Sequence, residues 1–238
     1  MFSPGQIIHY LDMCNEEGAN LQRGMNFHLR PGYSVILMSR RPNAPYADRV
    51  EDDGKTLIYE GHDVPKTRGV RDPKNHDQPM HNPTGTPTEN GKFFMAAKEH
   101  KDKGREPERV RVYEKLYSGI WVYNGTFKLL DAWLEPSAGR KVFKFRLELA
   151  AEMPETDTSR PEQKVAIDLE HTRMIPSAVK LEVWKRDKGR CQHRGCGRTD
   201  NLHFDHIIPY SKGGTSLKAE NIQLLCARHN LEKRDEIR

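Results

Sequence analysis

The residues best equipped for chemistry lie in the last quarter of the chain. Cys191 and Cys196 are followed, about thirty residues on, by Cys226 and His229 in a C-x-x-H pair. Three thiolates and an imidazole at this spacing make the donor set of a tetrahedral Zn(II) site, in which a turn presents two ligands together. A disulfide would leave two thiols over and give His229 no role; Cys14 stands alone near the N-terminus. Between the two halves of this set stand Asp205 and His206, then Asn221, and Asn230 directly follows His229. Carboxylate and amide oxygens are hard donors for a divalent cation, whereas imidazole transfers protons near neutral pH. A purely structural zinc knuckle gives no reason for these four residues in this order.

Definite local structure is needed to bring them together. Residues 202–208 read as a strand entering a hairpin whose loop holds Gly213 and Gly214, residues 222–225 as the return strand, and residues 226–234 as a short polar helix. That helix would carry His229 toward zinc and Asn230 toward the Asp-His pair. Strand neighbours point to opposite faces, so Asp205 and His206 serve one centre only if the backbone twists or bulges there. The unit is too small for a large core, so zinc must supply much of its folding energy. Upstream, residues 178–188 read as a helix with Val179, Val183 and Trp184 apolar and Lys180, Lys185, Arg186 and Lys188 basic. It packs on the hairpin while facing a polyanion, or is merely a solvated charged face; the sequence leaves both open. The chain's formal charge of +5 lies here, since residues 177–238 hold 13 Lys and Arg against 8 Asp and Glu and the remainder is balanced. Contact with phosphate is the simplest use of such an excess.

In these motifs residues 177–238 resemble the zinc-stapled HNH endonuclease domains. The resemblance implies a ββα-metal fold with structural zinc on Cys191, Cys196, Cys226 and His229. It makes His206 the general base, Asp205 and Asn230 the ligands of a catalytic divalent cation, Mg(II) or Mn(II), and Asn221 the brace of the loop beside the base. Asn230 departs from the His common at that position, yet still offers a carbonyl oxygen to a hard ion. Phosphodiester hydrolysis needs a base to make hydroxide and a cation on the leaving oxygen. An imidazole with a pKa near ~6.5 suits the first role, and a hard ion the second. His203, two residues before Asp205 and on the same strand face, is compatible with either a phosphate contact or simple packing.

The first 150 residues are of another kind. Short β-prone runs at 33–38, 57–59, 109–113, 119–123, 126–133 and 142–149 are separated by Gly, Pro, Asn and Asp clusters, which suggests a curved or barrel-like sheet with a helix or two. An opening helix fits residues 7–15. The polar stretches 42–55 and 61–91 are too long for ordinary connections and suit a binding role. Gly32-Tyr33-Ser34-Val35-Ile36-Leu37, Tyr46-Ala47-Asp48-Arg49-Val50, Ile58-Tyr59-Glu60-Gly61, Asp77-Gln78, Arg109-Val110-Arg111-Val112, Tyr123-Asn124-Gly125 and Trp133 resemble, in order and spacing, an SRA domain. Asn124 replaces that family's Asp, and the segment after Tyr46 is about one residue longer. The resemblance implies a pocket for a modified cytosine flipped out of duplex DNA, with Tyr46 and Tyr59 on the base plane and Asp48 on its amino edge. A buried 5-methyl group adds only about 0.8 kcal/mol, so discrimination must come from a shaped pocket. Lys66, Arg68, Arg71, Lys74 and His76, on the loop between 61 and 80, could fill the gap left by the base or contact only backbone phosphate.

These readings predict an α+β chain with an SRA-like modified-cytosine-binding domain over 1–150, a polar, Pro-bearing linker over 151–176 and an HNH endonuclease domain over 177–238. With no long apolar run and reduced cysteines, the expected compartment is the cytoplasm, with no membrane partner. Together the resemblances imply a type IV-like, modification-dependent restriction endonuclease acting on double-stranded DNA that carries 5-methylcytosine or 5-hydroxymethylcytosine. One such centre cuts one strand, so a homodimer is expected. Two other classes stay open: a non-catalytic reader of modified DNA, and a nuclease indifferent to modification.

Overall fold

The computed structural model describes residues 2–51, 54–66, 69–150, 174–209, 212–233 and 237. Residues 151–173 of the expected linker, and Arg68 of the basic loop, lie outside the described residues. The strands of the larger unit are β1 (Ile7–His9), β2 (Met25–Arg30), β3 (Tyr33–Met38), β4 (Arg49–Val50), β5 (Thr56–Glu60), β6 (Glu108–Tyr117), β7 (Ile120–Ser137) and β8 (Arg140–Leu149). The β-prone runs become β3, β5, β6, β7 and β8, most of them longer than the runs themselves, whereas β1, β2 and β4 were not read from sequence. Two runs read separately, 119–123 and 126–133, fuse into the 18-residue β7. The opening helix begins later than expected: Ile7–His9 pair antiparallel with β7, and α1 occupies Tyr10–Glu17. A helix not localised from sequence, α2 (Glu89–Lys103), starts at an N-cap where the Thr88 hydroxyl accepts from Gly91 N–H and ends on Gly104 in the left-handed region.

The strands form one sheet in the order β2-β3-β6-β7-β8-β5-β4, with β1 added against β7 and only β3-β6 parallel. Apart from a smaller cluster that includes Ile8, Met13, Val35, Trp121 and Tyr123, the sheet packs around one larger core. Met25 of β2, Leu57 and Tyr59 of β5 and Phe143 and Phe145 of β8 are all buried in it, and α2 contributes Phe93 and Ala97. All five residues of β5 are buried, as expected for a strand covered on both faces.

The C-terminal unit comprises α3 (Ser177–Asp187), the hairpin β9 (Leu202–His206) and β10 (Ile222–Cys226), and α4 (Ala227–Lys233). It does not hang from a tether. Its core, built on Val183, Leu202, Phe204, Ile222 and Leu224, includes Leu116 and Val122 from β6 and β7. Phe204 N–H donates to Gly5 O at 3.1 Å, so the N-terminal segment lies along β9. At the connecting stretch, Met174 is buried and its N–H donates to Gly54 O at 2.9 Å, which fastens residues expected to belong to a free linker.

A buried polar cluster crosses this seam. Lys180 Nζ of α3 donates to Glu114 Oε2 of β6 and to Asn124 Oδ1 of β7, each at 2.7 Å, and Asn124 Nδ2 donates to Glu114 Oε2 at 3.1 Å. Ser177 Oγ also donates to Glu114. The side chains of Lys180 and Glu114 are only 3% and 4% exposed. Burial alone would raise the Glu114 carboxyl, but Lys180, Ser177 and Asn124 hold it below the usual carboxylate range. The cluster also accounts for Asn124. An amide accepts from Lys180 and donates to Glu114, whereas Asp would set a second carboxylate beside the first with a single ammonium between them.

Removing one partner of a buried pair strands the other. Lys180→Ala should therefore cost roughly 3–5 kcal/mol in chemical denaturation, and the double change Lys180→Met with Glu114→Gln should recover most of the loss. A Lys180→Ala loss below about 1 kcal/mol, the range of an exposed ion pair, would show that the seam does not depend on this cluster.

Candidate functional site

The four proposed zinc ligands converge. Ligand atoms of Cys191, Cys196, Cys226 and His229 all lie within 4.8 Å of one another. His229 Nδ1 is 3.4 Å from Cys191 Sγ and 3.3 Å from Cys226 Sγ. A tetrahedral ion with bonds of about 2.3 Å to sulfur and about 2.0 Å to nitrogen requires separations of roughly 3.5 Å, so the cluster fits Zn(II). Cys226 closes β10 and His229 sits in the first turn of α4, so a strand-to-helix turn delivers two ligands. His193 stacks on the His229 ring at 3.8 Å and fixes its plane.

Beside this cluster, β9 and β10 pair without a register shift from Leu202 opposite Cys226 to His206 opposite Ile222. Of the twist or bulge that would let Asp205 and His206 serve one centre, the ladder contains no bulge; the chain bends just after it, at Ile207 and Ile208. Asn221 controls that bend. Its Oδ1 accepts from Ile208 N–H at 2.8 Å, while its Nδ2 donates to the carbonyls of Ile208 and Thr215, each at 3.0 Å. Gly214 packs against the same brace: a Cβ there would fall 1.8 Å from Ile208 O, a clash that only glycine avoids. The Ser216 hydroxyl, carried by this loop, lies 2.8 Å from His206 Nε2 and is buried, which orients the imidazole.

Asp205 Oδ2 accepts from Gln223 Nε2 at 3.1 Å and faces Lys233 Nζ at 3.0 Å. The same ammonium donates to His206 O at 2.6 Å. Asn230 lies on α4 three residues before Lys233, the spacing of neighbours on one helical face, and His229 of the same helix joins the thiol cluster. Lys233, Ser216 and Gln223 were not read from sequence. Lys233 had a signal, its i+3 spacing from Asn230; Ser216 reaches His206 only through the loop fold and had none. Of the two roles open to His203, the geometry fits packing. The residue is buried, its Nδ1 lies 3.4 Å from Ser3 Oγ, and its backbone bridges to Gln6.

In the N-terminal unit, Tyr46, Asp48 and Tyr59 line one cavity of about 710 Å³, together with His62, Lys115 and Trp121. Asp48 Oδ1 accepts from Glu60 N–H at 3.0 Å and Oδ2 from Ser39 N–H at 3.3 Å. Burial outweighs these two bonds and pushes the Asp48 carboxyl up to about 7. Tyr59 is buried, with its hydroxyl inside the fold, 3.3 Å from Gly24 O and 3.4 Å from Leu37 O. The Tyr46 ring lies near-parallel to the His62 ring, with centroids 5.5 Å apart, and Lys74 Nζ sits 4.4 Å from its centroid. Lys74 also pairs with Asp63 at 2.9 Å, so this basic residue of the long loop braces the cavity mouth. Neither His62 nor Trp121 was anticipated, because nothing in a lone His or Trp marks the cavity it will line. A second concavity of about 580 Å³, lined by Arg40, Arg41, Lys74, Arg140 and Glu60, shares Tyr46 and Asp48 with the first; Arg140 and Lys74 are both paired with Asp63.

Residues 191–236 match the HNH endonuclease family. The C-terminal unit is an HNH endonuclease domain. No curated protein matches the chain significantly. Among solved structures, the SRA domain of SUVH5 in complex with hemimethylated CG DNA aligns with a TM-score of 0.44 and 24% identity, over 65% of this chain and 93% of its own. KRYPTONITE, in complex with mCHH DNA, a histone H3 peptide and SAH, aligns at 0.43 and 18%, over 70% and 34%. The type IV phosphorothioation-dependent restriction endonuclease ScoMcrA aligns at 0.43 and 16%, over 98% of this chain and 55% of its own. Likeness this loose carries no function to the chain. Among the described residues no helix is long and apolar enough to cross a membrane.

Two outcomes are expected. Stripping zinc with a strong chelator should lower the thermal midpoint and expose the C-terminal unit to proteolysis, and added Zn(II) should restore both; an unchanged digestion pattern would argue against a structural metal. For Asp48, a folded pKa of about 7 against an ordinary value near ~3.9 means that the fold holds the proton more tightly than the unfolded chain does. Its stabilising share is then full below about pH 4 and is lost as pH rises to 7, at no more than about 1.4 kcal/mol per pH unit. Asp48→Asn should therefore lose less thermal stability than wild type between pH 5 and pH 8 in calorimetry, and equal losses would mean that Asp48 is ionised throughout.

Proposed function

We propose that the chain is a type IV-like, modification-dependent restriction endonuclease. Its N-terminal unit binds double-stranded DNA carrying 5-methylcytosine or 5-hydroxymethylcytosine by flipping the modified base, and its HNH unit hydrolyses phosphodiester bonds nearby. The observation that carries this reading is the convergence of Tyr46, Asp48 and Tyr59 on one cavity, in the chain that also holds the HNH hairpin. A flipped cytosine must recover a few kcal/mol of lost stacking and pairing. Aromatic faces at Tyr46 and Tyr59 and a polar edge at Asp48 are the groups able to return it. A neutral Asp48 carboxyl offers the cytosine edge a donor for N3 and an acceptor for the amino group.

At the HNH hairpin, His206 takes the proton from the attacking water, and Ser216 holds its ring in place. Asn221 keeps the loop between them folded. Asp205 and Asn230 present only oxygen donors, a fit for Mg(II) or Mn(II), which when bound stabilises negative charge on the leaving oxygen. Lys233 Nζ, 3.0 Å from Asp205 Oδ2, holds that carboxylate in place. The zinc cluster holds α4 so that Asn230 and Lys233 stay on the β9 side.

One hairpin cuts one strand, so a double-strand break calls on a second copy, and the reading includes a homodimer. Such an enzyme would work in the cytoplasm against incoming DNA that carries a mark absent from the cell's own. The test is cleavage of matched plasmids, unmodified, 5-methylated and 5-hydroxymethylated, with Mg(II) or Mn(II), by wild type beside His206→Ala. Cutting confined to modified plasmids and reduced about 10²–10⁴-fold in His206→Ala is expected. Equal cutting of all three would leave a nuclease indifferent to modification, and no cutting under either metal would leave a reader of DNA.

A further inference from the structure

His62 lines the same cavity as the two tyrosines and is held from three sides. Its backbone N–H donates to Asn90 Oδ1, and Asn90 Nδ2 donates back to His62 O, each at 2.8 Å, so the buried side chain of Asn90 pins the residue to α2. Its ring lies against Tyr46. Its Nε2 is 3.2 Å from the Tyr59 oxygen. Gly24 makes this approach possible, because a Cβ there would fall 2.6 Å from Nε2 and 2.9 Å from the Tyr59 oxygen.

The neighbours of Tyr59 decide where the imidazole proton goes. The Tyr59 hydroxyl faces two backbone carbonyls, Gly24 O and Leu37 O, which only accept. Its single proton is drawn to one of them, so its oxygen is left to accept from His62 Nε2–H. Burial lowers the His62 imidazole to about 4 and keeps the ring neutral at pH 7. A neutral ring protonated on Nε2 carries a bare lone pair on Nδ1, for which no described residue supplies a partner. The cavity thus contains a preformed, oriented acceptor.

Its place suggests what it accepts from. The Asp48 carboxyl is bonded to Glu60 N–H, and His62 follows Glu60 by two residues, about 6–7 Å along an extended chain. Cytosine carries its amino group on C4 and its modification on the adjacent C5, so residues that read both must stand side by side. Resting on the base-pocket reading above, we propose that His62 reads the C5 substituent, its Nδ1 accepting from the hydroxyl of a 5-hydroxymethyl group, so that this base is preferred over 5-methylcytosine. A methyl group offers that lone pair no hydrogen.

The experiment is equilibrium binding by the full chain, without divalent metal, to three duplexes that differ only in one cytosine: unmodified, methylated or hydroxymethylated. A neutral hydrogen bond corresponds to a preference of about 3- to 10-fold for hydroxymethyl over methyl in wild type. His62→Phe, which keeps a ring against Tyr46 but has no acceptor, should bring that ratio to about one while still favouring the methylated over the unmodified duplex. His62→Leu serves the same purpose if the larger ring disturbs folding, judged by thermal midpoint. His62→Gln, with an N–H for Tyr59 and a carbonyl for the ligand, should keep a ratio above one. A wild-type ratio of one or less, or a Phe or Leu variant that retains the preference, overturns the role of His62. If wild type fails to favour either modified duplex over the unmodified one, the base-pocket reading itself falls.

Discussion

A unit of some sixty residues cannot bury enough apolar surface to hold a catalytic hairpin rigid by itself, and the whole architecture answers that constraint. The HNH unit is fixed at two ends. At one, three thiols and an imidazole form a cluster that ties the β10-α4 turn to the loop around Cys191 and Cys196. At the other, Leu116 and Val122 of the larger sheet complete its apolar core, and Lys180 reaches across to Glu114 and Asn124. Between these anchors the hairpin needs little intrinsic stability.

The same economy of fixed polar groups recurs in both sites. Asn221 uses its one amide to bond the backbone of two loop residues, and Asn90 uses its own to clasp both backbone groups of His62. In each case a side chain supplies hydrogen bonds that no regular ladder could give to a bend. The bends then aim functional rings: His206 against Ser216 in one, His62 against Tyr59 in the other.

Much of this was legible in the residues, for reasons that differ by element. The zinc ligands and the ββα order were readable because metal spacing is local and strict. Strands β3, β5, β6 and β8 announced themselves by β-branched and aromatic runs, whereas β2 (Met25–Arg30) did not, since its only strong strand former is Phe27. Ile7–His9 read as part of a helix, but pairing with β7 outweighed local pattern. Tyr46, Asp48 and Tyr59 could be placed in one site through family likeness alone; His62 and Ser216 could not, because their roles arise from chain segments that meet only in the folded state. Asn124 is the instructive case. In the sequence it is only a departure from an expected motif, and its meaning appears with Lys180 beside it.

The seam between the two units has a geometric consequence for any duplex held by both. Two bodies joined through a common core and a buried ion pair keep a constant separation and a constant angle. On B-form DNA, each base-pair step turns the backbone by about 34–36° around the axis. A scissile phosphate one step nearer or farther from the flipped base would thus be turned off His206 by about a tenth of a turn as well as displaced along the axis, and one about five steps away would lie on the far side of the duplex. Helical phase, and not tether length, would then set where the backbone opens.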